Sequence, residues 1–299
     1  VIDDFVTANS FGSSHTRPAR PLASFGSSRS DAPFMTPAWA VKPGADATNP
    51  TTFTTRVTRS REPMTHAETA SKPASLPMGV MVACLICALG YLWVPQLILN
   101  APTEPTMGFV QRIFYFHVPC CWLAMLAALT CGVASALYLF KDSEKAEHVA
   151  VSAAELTVVF GLIAIVSGPL WARKAWGVWW QWDVRLTTTA LLWIIFIAYL
   201  FARRYGGPGG RRLGAGLALF GAADVPMIYI SVSLWRTIHP KTSVVPTLDP
   251  GMRPAFWLSM VSLHVLFIVL MQLRVRLERA RARYNGLHLQ AQDAGLIDD

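Results

Sequence analysis

Residues 171–187 read WARKAWGVWWQWDVRLT and hold five of the chain's 11 tryptophans: Trp171, Trp176, Trp179, Trp180 and Trp182. Apolar blocks enclose this stretch, AELTVVFGLIAIVSGPL before it and TTALLWIIFIAYLFA after it. A soluble core buries its apolar residues as stripes along helices or alternating positions along strands. An unbroken block of ~20 residues matches the thickness of a bilayer instead.

Six such blocks run along the chain, at about 77–99, 118–140, 149–170, 187–202, 213–235 and 254–273. They predict an all-α polytopic membrane protein with six transmembrane helices, whose membrane domain covers 76–273 and is followed by a basic cytoplasmic tail, 274–299. Pro95, Pro119, Pro169 and Pro254 stand near block edges, where a helix is expected to begin or stop. Residues 1–75, rich in Ser, Thr, Pro, Ala and Arg, show no periodicity and read as a disordered leader. A cytosolic tail, a targeting peptide and sequence translated ahead of Met64 all fit that leader. Its six acidic residues speak against a transit peptide, and we favour the last of the three.

Composition agrees with a membrane. Apolar residues make up 53% of the chain, and charged residues 15% against roughly 25% in a soluble domain. The net charge of +8 does not point to nucleic acid, because Arg203-Arg204, Arg211-Arg212 and the run from Arg274 to Arg283 all flank apolar blocks. Such placement orients helices by the positive-inside bias. It puts both termini in the cytoplasm, with the tryptophan-rich segment and the connectors 100–117 and 236–253 on the outer face. Arg112, Arg173, Lys174, Arg185, Arg236, Lys241 and Arg253 then lie on the outer side, where topology does not require them. Cys84 and Cys87 have the spacing of a redox pair but sit inside an apolar block, and read as small apolar fillers. Glu155 and Asp224 lie within blocks and are expected to face the bundle interior, protonated or partnered.

The outer face gathers an unusual set of residues. QRIFYFHVP brings His117 to the start of the second block, and WRTIHPKTS brings His239 just past the fifth. An interfacial aromatic belt explains scattered tryptophans. It does not explain four of them between 176 and 182. At helical spacing, positions 176, 179, 180 and 183 share a face, which sets Asp183 beside the indoles. Two imidazoles, a broad aromatic surface and several guanidinium groups suit a large, flat, anionic ligand with a metal at its centre, as haem is. His264, inside the last block, and His148, in a connector, read as ordinary structural residues.

WGVWWQWDVRLT resembles the tryptophan-rich signature of haem-handling proteins of cytochrome c maturation. RIFYFHVPCCW, AELTVVFGLIAIVSGPLWARKAWG and IYISVSLWRTIHP resemble the flanking segments of the CcmC branch, also called haem exporter protein C. The likeness spans about 78–272. The related synthase subunits CcmF and CcsA continue past the aspartate with proline and an acidic residue, whereas this chain reads DVRLT.

The resemblance implies six membrane helices holding haem b without a covalent bond, at the periplasmic face of a bacterial inner membrane. It implies His117 and His239 as axial iron ligands, with Trp176, Gly177, Trp179, Trp180, Trp182 and Asp183 at the haem edge. Arg112, Arg185 and Arg236 are proposed propionate partners from position and charge alone. The implied partners are membrane lipid, the haem chaperone CcmE, the small helper CcmD and the ABC transporter CcmAB. A haem or solute transporter, or a bis-histidine electron-transfer cytochrome, are the alternatives. No hydrolase motif or placed nucleophile marks an enzyme, and nucleic acid is not an expected partner.

Overall fold

The computed structural model describes residues 77–240 and 244–297. The expected leader, Lys241 and the last two residues fall outside them. Helix α1 is Met78–Asn100, α2 Phe114–Lys141, α3 Glu144–Trp176, α4 Val184–Tyr205, α5 Gly210–Leu234 and α6 Arg253–Asp293. All six are long and apolar enough to cross a membrane. No strand occurs among the described residues; the nearest feature is one isolated bridge between Glu104 and Gly108.

The helix ends depart from the proline-based expectation. Pro95, Pro119 and Pro169 lie inside α1, α2 and α3, and only Pro254 marks a start. In an apolar setting no water competes for the backbone groups that a proline frees, so the helix continues through it. The extension matters most in α3. It runs seven residues past Pro169, carrying Trp171 and Trp176 out to the bundle's end. Helix α6 likewise continues unbroken through the described part of the basic tail to Asp293.

Local chemistry sets the other boundaries. Ser143 caps α3 by accepting a hydrogen bond from the Ala146 amide at 3.3 Å, and Glu144 and Glu147 favour that end's dipole. Gly177 stops α3 by taking φ 77°, a left-handed conformation that glycine adopts without a Cβ clash. Asp183 then caps α4, its Oδ1 accepting from the Leu186 amide at 2.8 Å. Residues 177–183 are therefore not helical. The expected shared face of 176, 179, 180 and 183 does not form.

Helix α2 is the hub, packed on α3, α5 and α6, while α4 pairs with α5 and α1 lies on α6. Alanines such as Ala128, Ala153, Ala154 and Ala218 fill the α2–α3–α5 core and let backbones approach closely. A Cβ added at Gly132 of α2 would meet the Ala222 Cβ of α5 at 2.4 Å. Neither backbone-borne group can swing aside. Gly132→Leu is thus expected to cost about 1–3 kcal/mol through overpacking, seen as a lower unfolding temperature of the purified protein in detergent.

At the end opposite the tryptophan segment, buried Glu147 pairs with Arg203 and, at 2.8 Å, with Arg211, which also binds Glu144 at 2.6 Å. Glu155, the intramembrane carboxylate of α3, is held by Arg274 of α6, as its position requires. Asp224 has its Oδ2 buried with no hydrogen-bond partner among the described residues.

Candidate functional site

His117 sits one turn into α2 and is 7% exposed. Its Nδ1 lies 2.8 Å from the hydroxyl of Ser167 on α3. Ser167 spends its only hydroxyl proton on the Ile163 carbonyl, at 2.6 Å. Its oxygen must therefore accept from His117, which fixes the imidazole proton on Nδ1 and makes Nε2 the lone-pair nitrogen. The Cys121 thiol, 3.5 Å away, donates toward that lone pair. Gly168 provides the room: a Cβ there would come within 3.3 Å of the imidazole Cε1. Trp171 meets the ring edge-on at 5.9 Å and anchors its own indole N–H on the Met107 sulfur at 2.9 Å.

His239 reaches the same region from the loop that follows α5. Its Nδ1 lies 2.9 Å from the Pro240 carbonyl. A carbonyl only accepts, so this ring too carries its proton on Nδ1 and keeps Nε2 free. Burial, with the Arg185 guanidinium adding to it, pushes the imidazolium of His239 down to about 4. The ring is therefore neutral and ligand-competent throughout the physiological range.

One carboxylate places that loop. Asp183 caps α4 through Oδ1, while its Oδ2 accepts from the Thr237 hydroxyl and from the Ile238 amide at 3.2 Å. Thr237 in turn accepts from the His239 amide at 3.1 Å. The tryptophan segment and the His239 loop are thus tied at a single residue. Asp183 and Arg185 form no ion pair with each other.

Two adjoining cavities meet here, and His117, His239, Cys121, Met125, Trp171 and Arg185 line both. The first, about 80 Å³, is a narrow slot between the indoles of Trp176, Trp179 and Trp180 and a face of α3 made narrow by Gly161, Ala164 and Gly168. The second, about 470 Å³, falls in the range of small-molecule sites and lies between α2, α6 and the His239 loop. Arg185 brings a positive charge to both. Among the described residues its guanidinium makes one long hydrogen bond, 3.5 Å to the Ile228 carbonyl, and pairs with no acidic side chain. A guanidinium in so apolar a setting has its favourable partner in an anion.

The other expected residues lie apart. Arg112 donates to the carbonyls of Ile98 and Leu99 at 3.1 and 2.9 Å, closing the end of α1, and its guanidinium stacks on Phe109. Arg236 is exposed and lines neither cavity. Trp182 is 78% exposed and touches the site only through Trp180, edge-on at 5.6 Å. Gly177 acts through the backbone, as the stop of α3. Ser167, Trp171, Cys121, Thr237 and His264 are site residues that sequence reasoning passed over. A helical wheel of α3 would have put Ser167 and Trp171 on the Gly161–Gly168 face, but Thr237 carries no such signal.

The CcmC family model, described as heme exporter protein C, matches residues 57–292. A heme exporter protein C of Bradyrhizobium diazoefficiens is 30% identical over 195 residues, covering 63% of this chain and 74% of its own length. Its counterpart in Escherichia coli K12 is 28% identical over 208 residues, 67% and 82% of the two chains. A putative cytochrome c biosynthesis ccmC-like mitochondrial protein of Marchantia polymorpha is 28% identical over 144 residues, 48% and 61%.

Proposed function

The chain belongs to the CcmC, or heme exporter protein C, family, and on that footing we propose that it holds haem b between His117 and His239 and hands it to the chaperone CcmE during cytochrome c biogenesis. The observation that carries this reading is the pair of imidazoles from separate elements. Both line the same two cavities, and both have Nδ1 engaged so that Nε2 is the lone-pair nitrogen.

The donor set fits an iron porphyrin. His117 and His239 would hold the iron through two neutral imidazoles, and iron so held would not take up oxygen. Ser167 and the Pro240 carbonyl orient the two rings as outer-shell partners do around metal-bound histidine. Trp176, Trp179 and Trp180 offer flat apolar surface beside the ring. Arg185 supplies the countercharge for a propionate. Arg112, committed to carbonyls, and exposed Arg236 are weaker partners for that role. The 57%-exposed Trp179 and 78%-exposed Trp182 leave an open rim where an acceptor can approach the cargo.

On this reading the chain's own contribution is binding, orientation and release. The site, on the same reading, faces the periplasm of a bacterial inner membrane; the outer side is supported by Arg203, Arg204, Arg211 and the Arg274–Arg283 run at the other ends of the helices. CcmD and the transporter CcmAB are the partners expected at this stage.

Transfer is testable with purified components. Haem-loaded protein mixed with apo-CcmE is expected to lose its low-spin absorption as the chaperone gains covalent haem. Retention of haem through repeated oxidation and reduction by quinol, with no loss to CcmE, would identify an electron-transfer cytochrome instead.

A further inference from the structure

The larger cavity has a third imidazole. His264 of α6 lines it together with His117 and His239. Its Nδ1 lies 2.7 Å from the Met260 carbonyl one turn earlier, which places the proton on Nδ1 and frees Nε2, as in the other two rings.

The surroundings give this ring a position along a path. Trp122 of α2 and Trp257 of α6 line the same cavity and are 50% and 54% exposed on the apolar outside of the bundle. On its α2 and α6 side the cavity is therefore bordered by side chains that also face lipid. His264 is seven residues beyond Trp257, about 10 Å deeper along the helix axis. Met125 and Met260 soften the walls between, with side chains that adapt to a passing shape. His117 and His239 stand at the inner side of the cavity, where it adjoins the tryptophan-walled slot.

We propose that His264 is a transient axial ligand for an iron porphyrin that enters sideways from the bilayer between Trp122 and Trp257, before His117 and His239 take the iron. This rests on the bis-histidine reading above and adds a loading station to it. A flat, mainly apolar macrocycle partitions into lipid, so lateral entry collects it where it is concentrated. A waiting imidazole would hold the iron within the larger cavity until the final pair displaced it by offering two ligands instead of one.

The test uses the full chain in lipid nanodiscs, mixed with haem-loaded phosphatidylcholine vesicles and followed by stopped-flow absorption. His264→Ala is expected to reach the wild-type low-spin spectrum at equilibrium but to take up haem about tenfold more slowly. His264→Gln, which keeps a polar N–H without an imidazole, should be equally slow, and added imidazole should restore the rate of His264→Ala. An uptake rate equal to wild type in His264→Ala, or rescue by His264→Gln, overturns the proposal. Loss of the equilibrium spectrum in His264→Ala also overturns it, since His264 would then be a permanent ligand. The underlying reading fails separately, through an unchanged equilibrium spectrum in both His117→Ala and His239→Ala.

Discussion

His117→Ala and His239→Ala, each made alone, are expected to abolish the six-coordinate low-spin haem spectrum of the purified protein. Each imidazole has its Nδ1 engaged and turns Nε2, the lone-pair nitrogen, to the site. Removing one leaves a five-coordinate or water-ligated iron, with a high-spin spectrum and weaker retention. The bundle should survive both changes. His239 lies in a loop, and His117 bonds only Ser167, which keeps its bond to the Ile163 carbonyl, and the weakly held Cys121 thiol. Circular dichroism and elution as a single species check that the loss is local.

Asp183→Asn is expected to be the second most damaging change, although the residue touches no cargo atom. The amide can still cap α4 through its oxygen. It cannot also accept from both the Thr237 hydroxyl and the Ile238 amide, as the carboxylate does. Hydrogen bonds to a charged group are worth about 1.5–3 kcal/mol. Losing them frees the loop that aims His239, so haem affinity should fall by about 10- to 100-fold. Helix content should be unchanged, because the broken contacts lie outside the helices. Equilibrium haem titration gives the affinity. An affinity equal to wild type would mean that the His239 loop is positioned by other contacts.

The parts of this architecture visible in the sequence are those written in composition. Unbroken apolar blocks located all six helices, and the resemblance of WGVWWQWDVRLT to the family signature agrees with the family match. What the blocks could not supply was where helices end. Proline looks like a boundary in water, where freed carbonyls are solvated, yet α1, α2 and α3 run through Pro95, Pro119 and Pro169. The tryptophan run failed for the opposite reason. Its spacing satisfied a helical face, while Gly177 and Asp183 carried the stop and start signals that divide it.

The supporting residues of the site were illegible for a different cause. Ser167 and Thr237 are small alcohols of a kind that usually bonds the preceding helical turn or water, and only tertiary contact shows them orienting His117 and the His239 loop. Arg112 and Arg185 are equivalent in a list of outer-face charges. In the structure one is spent on carbonyls at the end of α1, and the other lines both cavities and pairs with no acidic side chain among the described residues. His264 looked like any lone histidine in an apolar helix until a cavity appeared beside it.

The most direct measurement replaces each ligand by a hole. Haem-loaded His117→Gly and His239→Gly proteins are recorded before and after addition of free imidazole. Ligation by these two rings predicts a high-spin spectrum in each variant, returning to the low-spin wild-type form as imidazole fills the vacated place. A low-spin spectrum that persists in both variants without imidazole would contradict the assignment of His117 and His239 as the iron's axial pair.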